Sequence, residues 1–352
     1  LYIGERFGSE TVHKDCEADI VLSAFENDHS IVDPESEGGV IVAVGYSERQ
    51  KLFNSPDMYC VKAIVGNKYK GAGVNITHGI TKNLKLMAEK ALKDKNEEIT
   101  PQNIDDEIHK MKIVALDRLR HKKLIETINN LGAEVILVKE DDLTPTFAVT
   151  RGEIDMIIGV GGVPEAVLSG IIVAQLGGEM TLRVLPYEVA LEEHLLGQLK
   201  HWDSFKKNEI DILRNFKIVR PGTEKAGEIP WDRTLTLEDL VKGKDIVFTA
   251  SVIKKTPWIK LSDGEEVPGV NINPESGDIN VFVVRVADNN VEIVPIVYKT
   301  VIGKLLEQYK ANQDANCEAN VRLLVQLGKV YSEFGLFEEA RDCIQKAKIC
   351  NG

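Results

Sequence analysis

Apolar positions along this chain follow two periods. Short continuous or alternating runs at 39–44, 63–65, 112–116, 133–138, 153–158, 245–250, 281–287 and 291–297 predict strands, the last two joined as a hairpin through Asp288-Asn289-Asn290. Residues 81–93 place Leu84, Leu86, Met87 and Leu92 at the spacing of an amphipathic helix. Thr100-Pro101 is a cap followed by a first-turn proline, and predicts a second helix with acidic residues in its first turn. Residues 122–131 repeat helical spacing at Leu124, Ile128 and Leu131, and Gly132 stops the run. Residues 187–228 are polar and read as mostly helical. Alternating helix and strand through the middle of the chain is the rhythm of a layered α/β domain.

One junction carries chemistry. Ile158-Gly-Val-Gly-Gly-Val-Pro-Glu165 joins a predicted strand to a predicted helix over 166–176. Pro164 has the fixed φ that suits a first helical position. The glycines let backbone come close to a ligand, and the free N–H groups of a helix start attract an anion. Glu165 sits in the same turn. A carboxylate beside a phosphate cradle calls for a cation between them, which points to a metal and a phosphate ester. The plainer reading is a carboxylate answering the helix dipole. No Gly-Lys-Ser/Thr follows, so this is not a Walker loop, and the third glycine of the dinucleotide fingerprint is missing. Arg118 and Arg120, spaced i and i+2 after a predicted strand, can face one pocket, and guanidinium forks suit phosphate.

Composition narrows the classes. A length of 352 residues suggests two domains, or one large domain with an appendage, and a 43% apolar content is ample for real cores. The net charge of −12 argues against a nucleic-acid surface, so an anionic substrate must meet a locally basic pocket or bound cations. Cys16, Cys60, Cys317, Cys343 and Cys350 show no CxxC spacing, which favours a reducing compartment and argues against structural zinc. No apolar run approaches membrane-spanning length and no signal peptide is visible, so a cytoplasmic protein without a membrane partner is expected. The chain opens on Leu1-Tyr2-Ile3 inside a predicted strand and without Met, which reads as a fragment lacking its N-terminal part.

The character changes near Ile302. Residues 310–320 are polar and linker-like. Leu324, Leu327-Gly328, Tyr331, Gly335, Phe337, Ala340, Ile344 and Ala347 then fall at the spacing of one tetratricopeptide unit. The plainer alternative is a C-terminal helical hairpin packed on the body. A single repeat cannot bury its own face, so the repeat reading implies a partner helix or a longer array.

Five segments stand together in a recognisable order: Leu1-Tyr-Ile-Gly-Glu5, Pro56-Asp-Met-Tyr59 with Lys62, Asp117-Arg-Leu-Arg-His121, Ile158-Gly-Val-Gly-Gly-Val-Pro-Glu165 and Leu176-Gly-Gly-Glu-Met180. Over roughly residues 1–300 the chain resembles the class II fructose-1,6-bisphosphatases. The resemblance implies an α/β layered sugar-phosphatase fold of the lithium-sensitive type, followed here by the C-terminal α-helical hairpin. The division it suggests is 1–302 for the phosphatase-like domain, 303–320 for a linker and 321–352 for the repeat. It implies hydrolysis of the C1 phosphate of fructose-1,6-bisphosphate by metal-activated water, with Mg²⁺ or Mn²⁺, in gluconeogenesis or the Calvin cycle. Some cyanobacterial members also cleave sedoheptulose-1,7-bisphosphate. By position, Glu165 matches a metal-binding glutamate, while Gly161 and Gly162 bring backbone to the sugar phosphate. Tyr59, Arg118 and Arg120 match phosphate-contacting residues, with Leu119 replacing the proline of a [Lys/Arg]-Pro-Arg-His motif. Glu140 and Asp142 match an acidic loop that meets sugar hydroxyls; from residue type alone, Lys62 is expected to help with phosphate and His121 to be structural. The implied partners are a sugar bisphosphate, further copies of the chain in a homo-oligomer, and a protein at the C-terminal repeat.

The pattern breaks at one place. The family carries Asp-Pro-Ile-Glu-Gly-Thr, whose carboxylates bind metal. Counting back without gaps from the 40–45 strand sets this motif on Ser23-Ala-Phe-Glu26-Asn-Asp28, which keeps Glu26 as a metal-binding and catalytic carboxylate. A rival placement on Asp33-Pro34-Glu35-Ser36-Glu37-Gly38 keeps Asp33 and Glu37 but inserts a residue between them. Glu165 and Glu26 are few ligands for two or three cations. A second expectation therefore stands beside the enzyme: a sugar-phosphate-binding protein of impaired catalysis that recruits partners through its C-terminus. An inositol-monophosphatase-like enzyme does not fit, because that family's motifs are arranged differently.

Overall fold

The computed structural model describes residues 18–27, 29–32, 38–54, 57–186, 211, 233–243, 245–273, 276–312, 317–333 and 337–351. Asp33 and Glu37, and nearly all of the stretch read as helical over 187–228, lie outside the described residues. Two compact units are distinguished, one running to Val267 and including 284–293, the other comprising 268–283 and 294–352.

In the first unit, β1 (Ala18–Glu26) pairs antiparallel with β2 (Val40–Glu48), and β2 with β9 (Ile246–Lys254). β11 (Ile279–Ala287) follows β9 in this sheet. The β1–β2 register slips between Ser23 and Glu26, a bulge that re-aims Glu26. A second sheet has the order β5 (Glu134–Val138), β4 (Lys112–Leu116), β6 (Met156–Gly162), β3 (Tyr59–Val65), β7 (Glu179–Val184), β8 (Leu235–Thr236). β4 runs parallel to β5 and β6, whereas β3 is antiparallel to β6 and β7.

Helices fill and cover these sheets. α5 (Val163–Leu176) buries residues on every side, from Val163 and Ala166 through Ile171, Ile172 and Val173. It packs on β1, β2 and β9 of one sheet and on β3, β6 and β7 of the other. A helix that is apolar all round is stable only when enclosed in this way. The fit is close: a Cβ added at Gly45 in β2 would lie 2.3 Å from Ile171 Cδ1. On the far face of the second sheet, α1 (Ile80–Asp94) buries Leu84, Met87, Ala88 and Ala91 against Ala63, Val65, Ile113, Met156 and Ile158. α2 (Pro101–Ile108) and α3 (Lys122–Asn130) join the same core through Ile108 and Ile128. The layers are thus sheet, helix, sheet, helix.

Local chemistry agrees with most of the predicted elements and corrects some. The Thr100 hydroxyl accepts from the Asn103 N–H at 3.2 Å with Pro101 in the first turn, but that turn holds no acidic residue, and Asp105 and Asp106 come later. The strand read at 63–65 begins at Tyr59, because β6 and β7 pair with it on both sides. Gly159, Gly161 and Gly162 do not form a turn. They complete β6, and the helix starts directly at Val163. Arg118 and Arg120 follow the strand as read: β4 ends at Leu116, and a single 3₁₀ turn occupies Leu119–His121.

In the second unit, β10 (Asn271–Ile272) pairs with the start of β11. The hairpin from β11 to β12 (Asn290–Tyr298), whose tip lies within 284–293 of the first unit, turns on Asp288 and Asn289, whose φ values of 53° and 59° match the predicted turn residues. Three helices follow: α7 (Val301–Ala311), α8 (Cys317–Glu333) and α9 (Phe337–Asn351). Thr300 caps α7 by accepting from the Gly303 N–H at 2.9 Å. Ile302, Leu324, Leu327, Tyr331, Ala340, Cys343 and Ala347 form one apolar cluster, joined by Leu305, Leu306 and Tyr309. Much of the stretch read as a linker is therefore helix packed into this cluster. Gly328 is where α9 approaches α8, its absent Cβ lying 3.3 Å from the Ala340 carbonyl oxygen. Phe337, read as a packing position, is 69% exposed.

Candidate functional site

β3 lies between β6 and β7, and its side chains alternate between the two faces of the sheet. Ala63 and Val65 face the α1 core, so Cys60, Lys62 and Ile64 point toward the α5 layer. Directly opposite Cys60 and Lys62 on β6 stand Gly161 and Gly159. The glycines leave open space on this face, and polar groups fill it.

Lys62 is 1% exposed. Its Nζ lies 2.7 Å from Asp142 Oδ2 and donates to the Asp142 carbonyl at 3.3 Å. A Cβ at Gly161 would fall 1.8 Å from Asp142 Oδ2 and 3.5 Å from Lys62 Nζ. A Cβ at Gly162 would fall 1.9 Å from Glu165 Oε2. The glycines thus make room for carboxylates of this chain. Burial alone would lower the Lys62 ammonium, but the charge of Asp142 outweighs it and holds Lys62 above its ordinary value.

Glu26 ends β1, is buried, and accepts from Ser23 Oγ at 3.0 Å. Burial, then the negative charges of Asp142, Glu165 and Asp141, push its carboxyl well above the usual range. Glu165, partly buried in the first turn of α5, is pushed up to about 7 by desolvation and by the charge of Asp142. The fold therefore brings Glu26, Asp142 and Glu165 into one electrostatic cluster around Lys62. Asp141 belongs to its edge. It accepts from the Thr144 N–H at 2.8 Å and from the Thr144 hydroxyl, and burial raises it to about 6.

The helix start is less open than the sequence suggests. The Val163 N–H donates to the Met58 carbonyl at 3.0 Å, Pro164 has none, and the Glu165 N–H turns to its own carboxylate. Glu165 stands in the first turn of α5, the position that the dipole reading requires.

The arginines diverge. Arg118 precedes the 3₁₀ turn in extended backbone, whereas Arg120 lies within it. Arg118 pairs with Glu140, read as a sugar contact. Arg120 donates from Nη2 to the Val160 carbonyl at 3.0 Å, and its guanidinium lies 5.6 Å from the centre of the Tyr59 ring. Burial, and after it the charge of Arg118, bears on Arg120 and lowers it.

His121 bridges two strands. Nδ1 donates to the Leu116 carbonyl at 2.9 Å and Nε2 accepts the Val160 N–H at 2.8 Å, a pairing that only the neutral ring satisfies. Desolvation and the neighbouring Arg120 lower it to about 4. Sequence reasoning missed Ser23, Asp141 and Cys60. For Asp141 a signal existed, an aspartate three residues ahead of Thr144-Pro145, the spacing of a local side-chain cap. Cys60 is buried beside Gly162, and burial pushes its thiol up, away from reactivity.

The fold and this site define a mixed α/β protein of two sheets with a buried lysine–carboxylate cluster. Residues 1–298 match the bacterial, glpX-encoded fructose-1,6-bisphosphatases, and the chain belongs to that family. It is 26% identical over 266 residues to the class 2 fructose-1,6-bisphosphatase of Haemophilus influenzae, covering 74% of this chain and 68% of that protein. It is also 26% identical over 261 residues to the class 2 fructose-1,6-bisphosphatase/sedoheptulose-1,7-bisphosphatase of Microcystis aeruginosa, covering 71% of this chain and 66% of that one. The corresponding Trichodesmium erythraeum protein is 25% identical over 309 residues, 85% of this chain and 78% of its own. No helix among the described residues is long and apolar enough to cross a membrane.

Proposed function

We propose that this protein is a phosphatase that removes the C1 phosphate of fructose-1,6-bisphosphate, with sedoheptulose-1,7-bisphosphate as a second substrate and Mg²⁺ or Mn²⁺ as cofactor. The observation that carries this reading is the placement of Arg120 over Tyr59, within the field of Asp142 of the carboxylate cluster, in a chain of this family. A guanidinium fork binds phosphoryl oxygens in pairs, and an aromatic wall beneath it fixes its plane. Glu26 and Glu165 are hard oxygen donors of the kind a divalent cation takes. Among the described residues, however, no three His, Cys, Asp or Glu side chains are grouped to hold an ion. Glu26 and Glu165 are two such donors, and the described residues alone do not complete a metal centre.

Phosphate release by the purified chain from fructose-1,6-bisphosphate, with Mg²⁺, Mn²⁺ or chelator, tests the reading. Metal-dependent release is expected. Glu165→Gln should abolish most of it while leaving the fold intact, since the amide is nearly isosteric. The second reading is sugar-phosphate binding without hydrolysis. It draws support from the occupied N–H groups at the start of α5. Calorimetric binding of fructose-1,6-bisphosphate with no release under either metal would select it.

A further inference from the structure

The carboxylate cluster already contains a cation. Glu26, Asp142 and Glu165 come from three separate segments: the end of β1, the loop before α4 (Pro145–Arg151), and the first turn of α5. The donors to Glu26 and Glu165 are neutral, a serine hydroxyl and a backbone N–H. Asp142 is met by a full positive charge, the Lys62 ammonium at 2.7 Å, and both side chains are sealed, at 2% and 9% exposure. Lys62 projects from a strand paired on both sides, opposite Gly159 and Leu182, so its stem has a fixed origin. Gly161 keeps the space around that contact clear.

We propose that the Lys62 ammonium is the resident counter-cation of this cluster, so that the site folds without a divalent metal and a metal competes with Lys62 for Asp142. Two like charges cannot share one carboxylate oxygen in a buried site without strong repulsion. An ion seated on Asp142 must therefore displace the ammonium or go elsewhere.

Thermal unfolding of the whole chain tests it, in EDTA and in MnCl₂, for the wild type, Lys62→Met, Asp142→Asn and the double variant. EDTA should leave the wild-type melting temperature unchanged. Lys62→Met should lower it in EDTA by roughly 6 °C or more, because a buried carboxylate loses its partner. Adding Asp142→Asn should restore part of that loss, and MnCl₂ should stabilise Lys62→Met more than the wild type. The proposal is overturned if the two substitutions are additive, or if Mn²⁺ stabilises both proteins equally. Should Lys62→Met fail to fold, the wild type decides alone. Insensitivity to EDTA supports the proposal, and a fall of the same size on chelation overturns it.

Discussion

His121 shows how a single ring can make the site pH-dependent without being part of the chemistry. Its pKa falls from 6.5 to about 4 in the folded chain, through burial first and Arg120 second. Between those values the unfolded chain binds the proton and the folded chain does not, so stability is complete above 6.5 and is lost as pH falls toward 4. The size is roughly 3 kcal/mol. His121→Gln should flatten this acid limb in urea unfolding followed from pH 7 to 4, and an unchanged slope would locate the acid sensitivity elsewhere. Arg120 belongs to another class. Arg120→Ala should raise the substrate concentration needed for half-maximal rate, by about 1.5–3 kcal/mol of lost charged hydrogen bonding, with little change in melting temperature. A large stability loss with unchanged substrate dependence would make it a strand-bridging residue, through its bond to the Val160 carbonyl. Residue types and their order were legible in the sequence. Their partners were not, because Arg118–Glu140 and Lys62–Asp142 are contacts across 22 and 80 positions, which no local spacing encodes.

Among the elements, β6 is the one whose sequence misleads. Its glycines read as a turn because glycine is rare inside strands, yet here each is an absent side chain that another group needs. Gly161 and Gly162 differ in what they protect, and two substitutions should separate them. Gly161→Ala drives a methyl into Asp142, which is buried and paired, and should cost about 1–3 kcal/mol in chemical denaturation. Gly162→Ala meets the far end of the partly exposed Glu165, which can swing aside. Stability should then be nearly kept while phosphate release falls. The reverse order would show that Glu165, and not Asp142, is the anchored carboxylate. Helices with a clear apolar face, such as α1 and α3, were readable from period alone. The 3₁₀ turn at Leu119–His121 was not, since it is imposed by the His121 bridge between Leu116 and Val160.

Across the molecule, the helical cluster of the second unit is larger than the C-terminal pattern suggested. α7 contributes Ile302, Leu305, Leu306 and Tyr309 to the core that α8 and α9 complete. Removing residues 312–352 should leave that apolar face bare and produce oligomers or aggregates in light scattering. A monodisperse truncation would mean that α7 is covered by other means. The first unit has its own centre in α5, enclosed by two sheets. Amide protons in its middle turns lack any route to solvent short of opening the whole layer, and should be among the slowest in the chain to exchange with deuterium. Glu165 begins that same helix, so its backbone is mounted on an enclosed element. Any give at this end of the helix then falls to the Glu165 side chain and to the turn that carries Arg118 and Arg120, while the enclosed helix behind them resists.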